Sequence, residues 1–301
     1  MQTISRIVEV ANPSFLSYKD RALRIERDGE QIARVPLEDL GVLVLDGHGI
    51  ALTKTLLSAC AEYKVAVVLC GANHMPAGLL LPIAGHTRHN LILRDQIAAK
   101  EEVKKRAWQA IVQGKIENQS RVLKALVGKD TKVGRLKAFV RPGDPDNVEA
   151  KAASRYFLTL FDEQFVRARH EEGINAMLNY GYAVVRAAVA RSICIAGMHP
   201  ALGIHHKNQY NAYALADDLM EPLRPFVDAV VWNYVRENKE PEELTPPVKA
   251  ALLRVLTLRA IWRRRRYPIL TAIGHYVTRF REVLQEKKED LPCVGWTPSE
   301  E

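Results

Sequence analysis

The sequence predicts an α+β fold in which a small N-terminal β-rich domain, residues 1–90, precedes a larger all-α domain, residues 91–301. Short β-type segments and continuous apolar runs fill the first part of the chain, which is typical of strands. From residue 91 onward, apolar residues recur instead at the three- and four-residue spacing of helices. We therefore expect the boundary between the two domains near residues 86–95.

The N-terminal elements follow from turn residues and from the apolar runs. Asp28-Gly29 is a tight-hairpin signal between two β-type segments. The runs at 42–45 and 65–69 are apolar throughout, as in strands that are buried on both faces. The predicted strands are 5–10, 23–27, 42–45, 65–69 and 79–83, and one helix is predicted at 51–63.

Helical periodicity dominates the second part of the chain. The segment 141–146, which contains two prolines and a glycine, predicts a loop, and Asp146 or Asn147 is suited to cap the helix that follows. The predicted helices are 91–113, 116–127, 131–139, 147–170, 173–197, 212–238, 246–258 and 268–288.

The composition is that of a globular protein with a basic surface. Hydrophobic residues make up 48% of the chain and charged residues 26%, which argues against wholesale disorder. Lys and Arg outnumber Asp and Glu by 43 to 35, which favours an anionic partner, nucleic acid first and a membrane surface second. The most apolar long segment, 182–198, is interrupted by Arg186 and Arg191, which argues against a membrane span.

The cysteines and the N-terminus predict the cellular compartment. Cys60, Cys70, Cys194 and Cys293 are scattered and lack the spacing of zinc ligands. We expect free thiols in a reducing compartment. No apolar segment of a secretory signal follows Met1, so a cytoplasmic protein is expected.

The most informative segment is Gly203–His206, which is followed by the acids Asp217, Asp218 and Glu221. Residues three and four apart share a face of a helix, so these acids would be neighbours. Carboxylates this close repel one another unless cations neutralise them, and a hard divalent metal with one nitrogen and several oxygen ligands would do so. Neighbouring residues of an extended segment point to opposite sides, so we expect only one of the two histidines to face the acids.

A separate predicted helix adds Glu149 in its first turn. One interpretation is that Glu149 only complements the helix macrodipole, as acids in first turns commonly do. The small residues Ala150, Ala152 and Ala153 would let another backbone approach closely, which favours a buried site.

The acid cluster also has a purely structural interpretation. The three acids could form a solvated helix face, with Arg224 paired to Glu221. Core-type residues surround the cluster, and Pro222 and Pro225 each remove a helical hydrogen-bond donor, which is unusual for a plain surface helix. The metal site is the favoured interpretation.

The helical part of the chain also contains a basic run, Arg263–Arg266, between Trp262 and Tyr267. Such a run fits a solvated surface about as well as a binding role. Together with the basic residues at 100–106, it supports a surface that contacts phosphates of a nucleic acid without reading bases.

Three stretches of the chain carry a family resemblance. They are 147–157 (NVEAKAASRYF), 178–182 (LNYGY) and the segment 203–225 that contains the histidines and acids. Together they resemble the integrases of CRISPR adaptation, the Cas1 family, and most of all its type II branch. The division into a β-rich and a helical part agrees with that family.

The resemblance implies a bound Mg²⁺ or Mn²⁺ at the acid and histidine residues. Glu149 and one histidine would be ligands, and the Gly-x-x-His spacing from Gly203 selects His206. The remaining ligand is an acid of the last motif, Glu221 as the first choice and Asp218 as the second.

The resemblance also implies a reaction and its partners. In the reaction, the 3′-hydroxyl of a captured DNA fragment attacks a phosphodiester at the border of a CRISPR repeat and inserts a new spacer. Metal-dependent nicking of DNA would use the same site. The implied partners are double-stranded DNA (protospacer and repeat), a second copy of the chain joined through the β domain, the small Cas2 protein and the RNA-guided effector nuclease, with no membrane.

Two other functions are kept as alternatives. A non-catalytic DNA-binding scaffold of the same fold would bind DNA without metal-dependent turnover. A metal-dependent hydrolase of small phosphoesters would need a deep pocket, and its DNA binding would depend little on salt.

Overall fold

The computed structural model describes residues 6–72, 74–83, 85–129, 132–162, 164–168 and 172–298. The strands are β1 (Arg6–Val10), β2 (Ser14–Lys19), β3 (Ala22–Arg27), β4 (Glu30–Pro36), β5 (Leu40–Leu45), β6 (Ile50–Leu52), β7 (Ala66–Cys70), β8 (Pro76–Leu80), β9 (Arg259–Trp262) and β10 (Arg265–Pro268). The α-helices are α1 (Lys54–Glu62), α2 (His89–Ala98), α3 (Glu101–Leu126), α4 (Val148–Leu160), α5 (Gly173–Ile195), α6 (Ala214–Met220), α7 (Arg224–Glu237), α8 (Pro246–Leu253) and α9 (Ile269–Leu284). Short 3-10 helices lie at Val133–Phe139, Glu221–Leu223 and Arg254–Thr257.

The N-terminal region contains two four-stranded sheets. The first has the order β1-β5-β7-β8, and its last strand is antiparallel to the others. The second has the order β4-β3-β2-β6 and contains the predicted hairpin, whose turn residues Asp28 and Gly29 have φ angles of 52° and 84°. The predicted strands correspond to β1, β3, β5, β7 and β8, whereas β2 and β6 were not expected. Residue 5, the first of the predicted strand 5–10, lies outside the described residues.

Strand β5 is buried along its whole length because its sheet separates two cores. Val42 and Val44 pack in the larger core with the helices. Leu43 and Leu45 pack in the smaller core, together with the second sheet and α1. Alternate residues of a strand point to opposite faces, so two cores require an uninterrupted apolar run. The prediction of a strand buried on both faces is confirmed.

Helix α3 runs unbroken through Gly114, where the sequence predicted a break between helices 91–113 and 116–127. The break lies instead between α2 and α3, at residues 99–100. A Cβ atom at position 114 would lie 2.5 Å from Cys293 Sγ. The glycine therefore marks a close crossing of the C-terminal segment over the helix, and not a helix end.

Two other predicted helices differ from the structure in the middle of the chain. The helix predicted at 147–170 ends at Leu160, and its residues 163 and 169–170 lie outside the described residues. The segment 131–139 forms a 3-10 helix from Val133 instead of an α-helix, and residue 131 is likewise not described.

The helix predicted at 212–238 is divided into α6, a 3-10 turn and α7. Pro222 lies in the first turn of the 3-10 helix and Pro225 in the first turn of α7. Proline is tolerated in a first turn because the missing N–H would have no helical acceptor there. The prolines therefore mark new helix starts. The helix predicted at 246–258 likewise gives way to a 3-10 turn after Leu253.

A β-hairpin, β9 and β10, lies in the helical region, so the expectation of an all-α second domain was wrong at this point. Its turn residues Arg263 and Arg264 have positive φ angles of 46° and 69°. Such turns usually contain Asn or Gly, so an Arg-Arg turn carries no recognisable sequence signal. The 268–288 prediction corresponds to α9.

Two expectations concern membranes and thiols. In the described part of the chain, no helix combines the length and apolar character that crossing a bilayer requires. The four cysteines are free, in agreement with the expected thiols. Burial raises the pKa of the Cys60 and Cys194 thiols to about 11, which makes them poor nucleophiles.

Helix α7 packs against α5 at Gly181. A Cβ atom at position 181 would overlap Cγ1 of Val227 and lie 3.5 Å from its Cβ. We expect Gly181→Ala to lower the free energy of unfolding by about 1–3 kcal/mol through overpacking. Adding Val227→Ala removes the overlapping methyl group Cγ1, so the double variant should regain part of this loss. Urea unfolding of both single variants and the double variant gives the coupling energy, and additive losses would contradict the close contact.

Candidate active site

Glu149 is the second residue of α4, and Asp144 in the preceding loop fixes its position. The backbone N–H groups of Val148 and Glu149 donate to Asp144 Oδ1 and Oδ2 at 2.9 and 3.0 Å. Asn147 occupies the predicted cap position with φ 50°, but its side chain makes no capping hydrogen bond. Of the two residues predicted as the cap, Asn147 stands at that position, whereas the capping carboxylate belongs to Asp144.

The loop Gly203–His206 wraps around the carboxylate of Asp218. The N–H groups of Ile204 and His205 donate to Oδ2 at 2.7 and 3.1 Å, and the N–H of His206 donates to Oδ1 at 3.1 Å. His206 Nδ1 lies 2.6 Å from the same Oδ1. A Cβ atom at Gly203 would lie 3.0 Å from Oδ2, so glycine permits this approach. Asp218 thus holds His206 through Nδ1, which leaves Nε2 as the ring nitrogen for another partner.

The two adjacent histidines have different surroundings. His205 stacks on Trp108, with ring centroids 4.0 Å apart and an interplanar angle of 5°. Burial lowers the pKa of His205. The hydrogen bond to Asp218 raises the pKa of His206. His206 is therefore the histidine whose ring contacts an acid of the cluster, whereas its assignment as a metal ligand stays a prediction.

Glu149 and Glu221 meet at a buried lysine, Lys115 of α3. Lys115 Nζ contacts Glu149 Oε1 and lies 2.5 Å from Glu221 Oε2. Arg224 Nε donates to the other oxygen of Glu221 at 2.7 Å, so the pair expected from sequence spacing is present. Burial disfavours the charged form of Glu221, but Arg224 and Lys115 outweigh it and lower its pKa to about 2.

Each of the three clustered acids has its own partner. Asp217 accepts a hydrogen bond from Asn211 Nδ2 at 2.7 Å and lies 4.0 Å from Arg186 Nη1. Asp218 and Glu221 are 0% and 5% exposed, which excludes a solvated helix face for them. The acids therefore do not require one shared cation, in contrast to the electrostatic argument from spacing alone.

The oxygens of Glu149 and Glu221 converge on one cation and are of the type that a divalent metal prefers. Within the described residues, no three His, Cys, Asp or Glu side chains already surround a common metal position. Glu149 and Glu221 nevertheless each place an oxygen against Lys115 Nζ, so two carboxylates converge where a cation is held. Two carboxylates and an imidazole suit Mg²⁺ or Mn²⁺, and a carboxylate on the second ring nitrogen is common for a metal-binding histidine. A metal would require Lys115 to move.

A cavity of about 760 Å³ opens beside His205 and His206. Its cationic lining consists of Arg167, Arg186, Lys207 and Arg224. The guanidinium of Arg224 lies 4.5 Å from the ring centroid of Tyr182, which holds it by a cation–π contact. An anionic chain such as a nucleic-acid backbone could enter this cavity and reach His206.

The predicted basic run forms an exposed turn. Arg263 lies over Trp262 at 5.9 Å from the ring centroid, and its Nη2 lies 3.4 Å from Asp290 Oδ2. Arg264 and Arg265 are exposed. The run therefore projects from the turn and second strand of a hairpin.

Sequence reasoning missed Lys115, Trp108 and Asp144. On α3, Lys115 lies seven residues after Trp108 and four after the fully buried Ile111, so it occupies a core position of the helix. A lone lysine at a core position was the available signal, and the break predicted at Gly114 concealed it. For Asp144, we find no sequence signal beyond its place in the loop.

The protein has an α+β fold in which a strand-rich region is joined to a helical region. Its candidate site places two buried acids and two exposed histidines beside a cavity lined by cationic side chains, which suits an anionic substrate. The chain belongs to the family of CRISPR associated protein Cas1, whose model matches residues 9–261. It is 39% identical over 285 residues to the CRISPR-associated endonuclease Cas1 of Neisseria meningitidis, which covers 94% of this chain and 93% of that protein. The family resemblance read from the motifs is therefore confirmed.

Solved structures share the fold. A casposase bound to integration product has a TM-score of 0.79 at 18% identity and covers 95% of this chain and 92% of its own. A Cas6-RT-Cas1–Cas2 complex has a TM-score of 0.78 at 15% identity and covers 100% of this chain and 37% of its own. A CAS1 protein from Thermotoga maritima has a TM-score of 0.73 at 14% identity, with coverages of 93% and 97%. The predicted α+β class is confirmed.

Proposed function

We propose that this protein is a metal-dependent DNA endonuclease and integrase that inserts new spacers into CRISPR arrays. The observation that carries the proposal is the convergence of Glu149 and Glu221 on one cation position in a member of the Cas1 family. The cationic cavity beside His206 supports DNA as the substrate, because its arginines and lysine suit phosphates. The reaction would be attack of a 3′-hydroxyl on a phosphodiester at a repeat border.

Glu149, His206 and Glu221 would hold Mg²⁺ or Mn²⁺. Asp218, our second choice as a ligand, already binds three loop N–H groups and His206 Nδ1, so we assign it to positioning His206. When bound, the metal would act as a Lewis acid on the scissile phosphate. Arg224 orients Glu221 through one oxygen and leaves the other oxygen directed at the cation position.

The proposed partners are supported by the solved structures that share the fold. A Cas1–Cas2 complex and a casposase with integration product among the structural neighbours support Cas2 and double-stranded DNA as partners. We further propose a homodimer formed through the β domain, residues 1–90, with the helical domain, residues 91–301, carrying catalysis in the cytoplasm. Contact with the RNA-guided effector nuclease rests on the type II resemblance. The arginines Arg263–Arg266 would contact DNA phosphates.

The test combines joining and binding. Full-length protein is incubated with plasmid and a labelled duplex that ends in a 3′-hydroxyl. Label should join the plasmid with Mn²⁺ or Mg²⁺, and joining should disappear in EDTA or with a 3′-dideoxy end.

In binding assays, Arg264→Gln/Arg265→Gln should lower the slope of log Kd against log salt by about 1 for each phosphate that the variant no longer binds. Arg24→Gln is the control, because Arg24 lies in the N-terminal sheet, where its side chain contacts Gln31 and Glu26.

Other outcomes would support the alternatives. DNA binding without metal-dependent nicking or joining would overturn the proposal in favour of a scaffold. Hydrolysis of small phosphoesters together with salt-insensitive DNA binding would favour a hydrolase. An unchanged salt slope in the arginine variant would remove the hairpin from the DNA surface.

A further inference from the structure

Lys115 is a buried cation in an apolar part of helix α3. Its side chain is 9% exposed, and Ile111, Val112 and Ile116 around it on the helix are fully buried. Burying an ammonium group is costly unless anions and hydrogen bonds compensate it. Glu149 and Glu221 supply this compensation, so the lysine is present for the two carboxylates and not for packing.

The charges at this position balance without a metal. Two carboxylates, Glu149 and Glu221, face two cations, Lys115 and Arg224. Arg224 takes the Glu221 oxygen that Lys115 does not use. In the part of the chain that the structure describes, the Lys115 ammonium is the group that bridges Glu149 and Oε2 of Glu221.

A divalent cation and the ammonium cannot share this position. A metal bound by the same two oxygens, at the bond length of about 2.0–2.1 Å typical of Mg²⁺, would take the position of Lys115 Nζ. Adding two positive charges beside an ammonium in a buried site is also strongly unfavourable. Metal entry therefore requires Lys115 to leave at least one carboxylate.

We propose that Lys115 is an internal counter-cation that competes with the divalent metal of this site. It keeps the Glu149 and Glu221 carboxylates converged when the metal is absent, and the metal displaces it on binding. This inference rests on the proposed metal-dependent function. Because only molecules with the ammonium displaced bind the metal, the apparent Kd equals the intrinsic Kd divided by that fraction.

The test measures metal affinity and stability, independently of catalysis. Lys115→Met keeps the length of the side chain and removes its charge. We expect this variant to melt at a lower temperature in EDTA, because two buried carboxylates then face each other without the ammonium. By isothermal titration calorimetry, we expect its Mn²⁺ Kd to be tighter by about tenfold, and Mn²⁺ should raise its melting temperature more than that of the wild type.

Two matched variants make the result specific. Lys104→Met removes a lysine of the same helix that pairs with the exposed Glu101 at 3.0 Å, and it should leave the Mn²⁺ Kd unchanged. Glu221→Gln should abolish the calorimetric signal. An unchanged or weaker Mn²⁺ affinity in folded Lys115→Met would overturn the counter-cation role and leave the metal site standing. Absence of any Glu221-dependent Mn²⁺ binding would overturn both.

A measurement on the unaltered protein covers the case in which Lys115→Met does not fold. In protein labelled with ¹³C in its lysine side chains, the Cε signal of Lys115 is assigned by its absence in Lys115→Arg. This signal should shift as Mg²⁺ saturates the site, with the Kd found by calorimetry. A Cε signal that stays in place while Mg²⁺ binds would overturn the proposal.

Discussion

Replacing Glu221 with glutamine is expected to lower metal-dependent DNA cleavage and joining by about a thousandfold, or roughly 4 kcal/mol of transition-state stabilisation. Glutamine keeps the shape of the side chain but removes the charge, which two cations and a pKa of about 2 maintain at neutral pH. Single-turnover rates with labelled DNA and Mn²⁺ measure the effect.

A matched control separates this loss from a general change of charge on the protein. Glu117 lies on α3 and pairs with Arg121 and Lys137, each at 3.2 Å, on a half-exposed surface. Glu117→Gln should keep the wild-type rate within a few-fold. Circular dichroism must show that Glu221→Gln is folded, because Lys115 and Arg224 lose a partner. A folded Glu221→Gln protein with the wild-type rate would remove Glu221 from the site.

The sequence predicted the site motifs better than their contacts. His206 was selected by its spacing from Gly203, and that spacing corresponds to a loop that wraps one carboxylate. Glu221 was selected among three acids, but spacing cannot show that each acid has a separate partner. Lys115 was missed because its partners lie 34 and 106 residues away, on other elements.

The prediction of the fold has the same limit, because contacts between distant residues leave no local signal in the sequence. Strand β5 could be predicted because burial on both faces leaves a direct trace, an unbroken apolar run. The hairpin β9–β10 could not, because its turn is Arg263-Arg264 and lacks the residues that favour positive φ. Gly114 misled the prediction, since a helix end and a close crossing both select glycine. Tertiary contacts decide between the two, and they have no local sequence signal.

The second large effect is a loss of stability, which we expect when Lys249 of α8 is replaced. Lys249 Nζ lies 2.5 Å from Asp46 Oδ2, and the two side chains are 2% and 1% exposed. Asp46 follows β5, so this pair joins the first sheet to the helical region. His74 Nδ1 lies 3.1 Å from the other oxygen of Asp46. Burial, and next the charge of Asp46, raise the pKa of the nearby Glu9.

Lys249→Met is expected to lower the free energy of unfolding by about 3–5 kcal/mol, because it leaves Asp46 buried without its cation. Asp46→Asn added to this variant removes the uncompensated charge and should recover part of the loss. Lys100→Met, in an exposed pair with Glu286, is the control and should cost about 0–1 kcal/mol. Urea unfolding measures all three. If Lys249→Met cost no more than Lys100→Met, apolar packing of β5 against the helices would hold this junction without the ion pair.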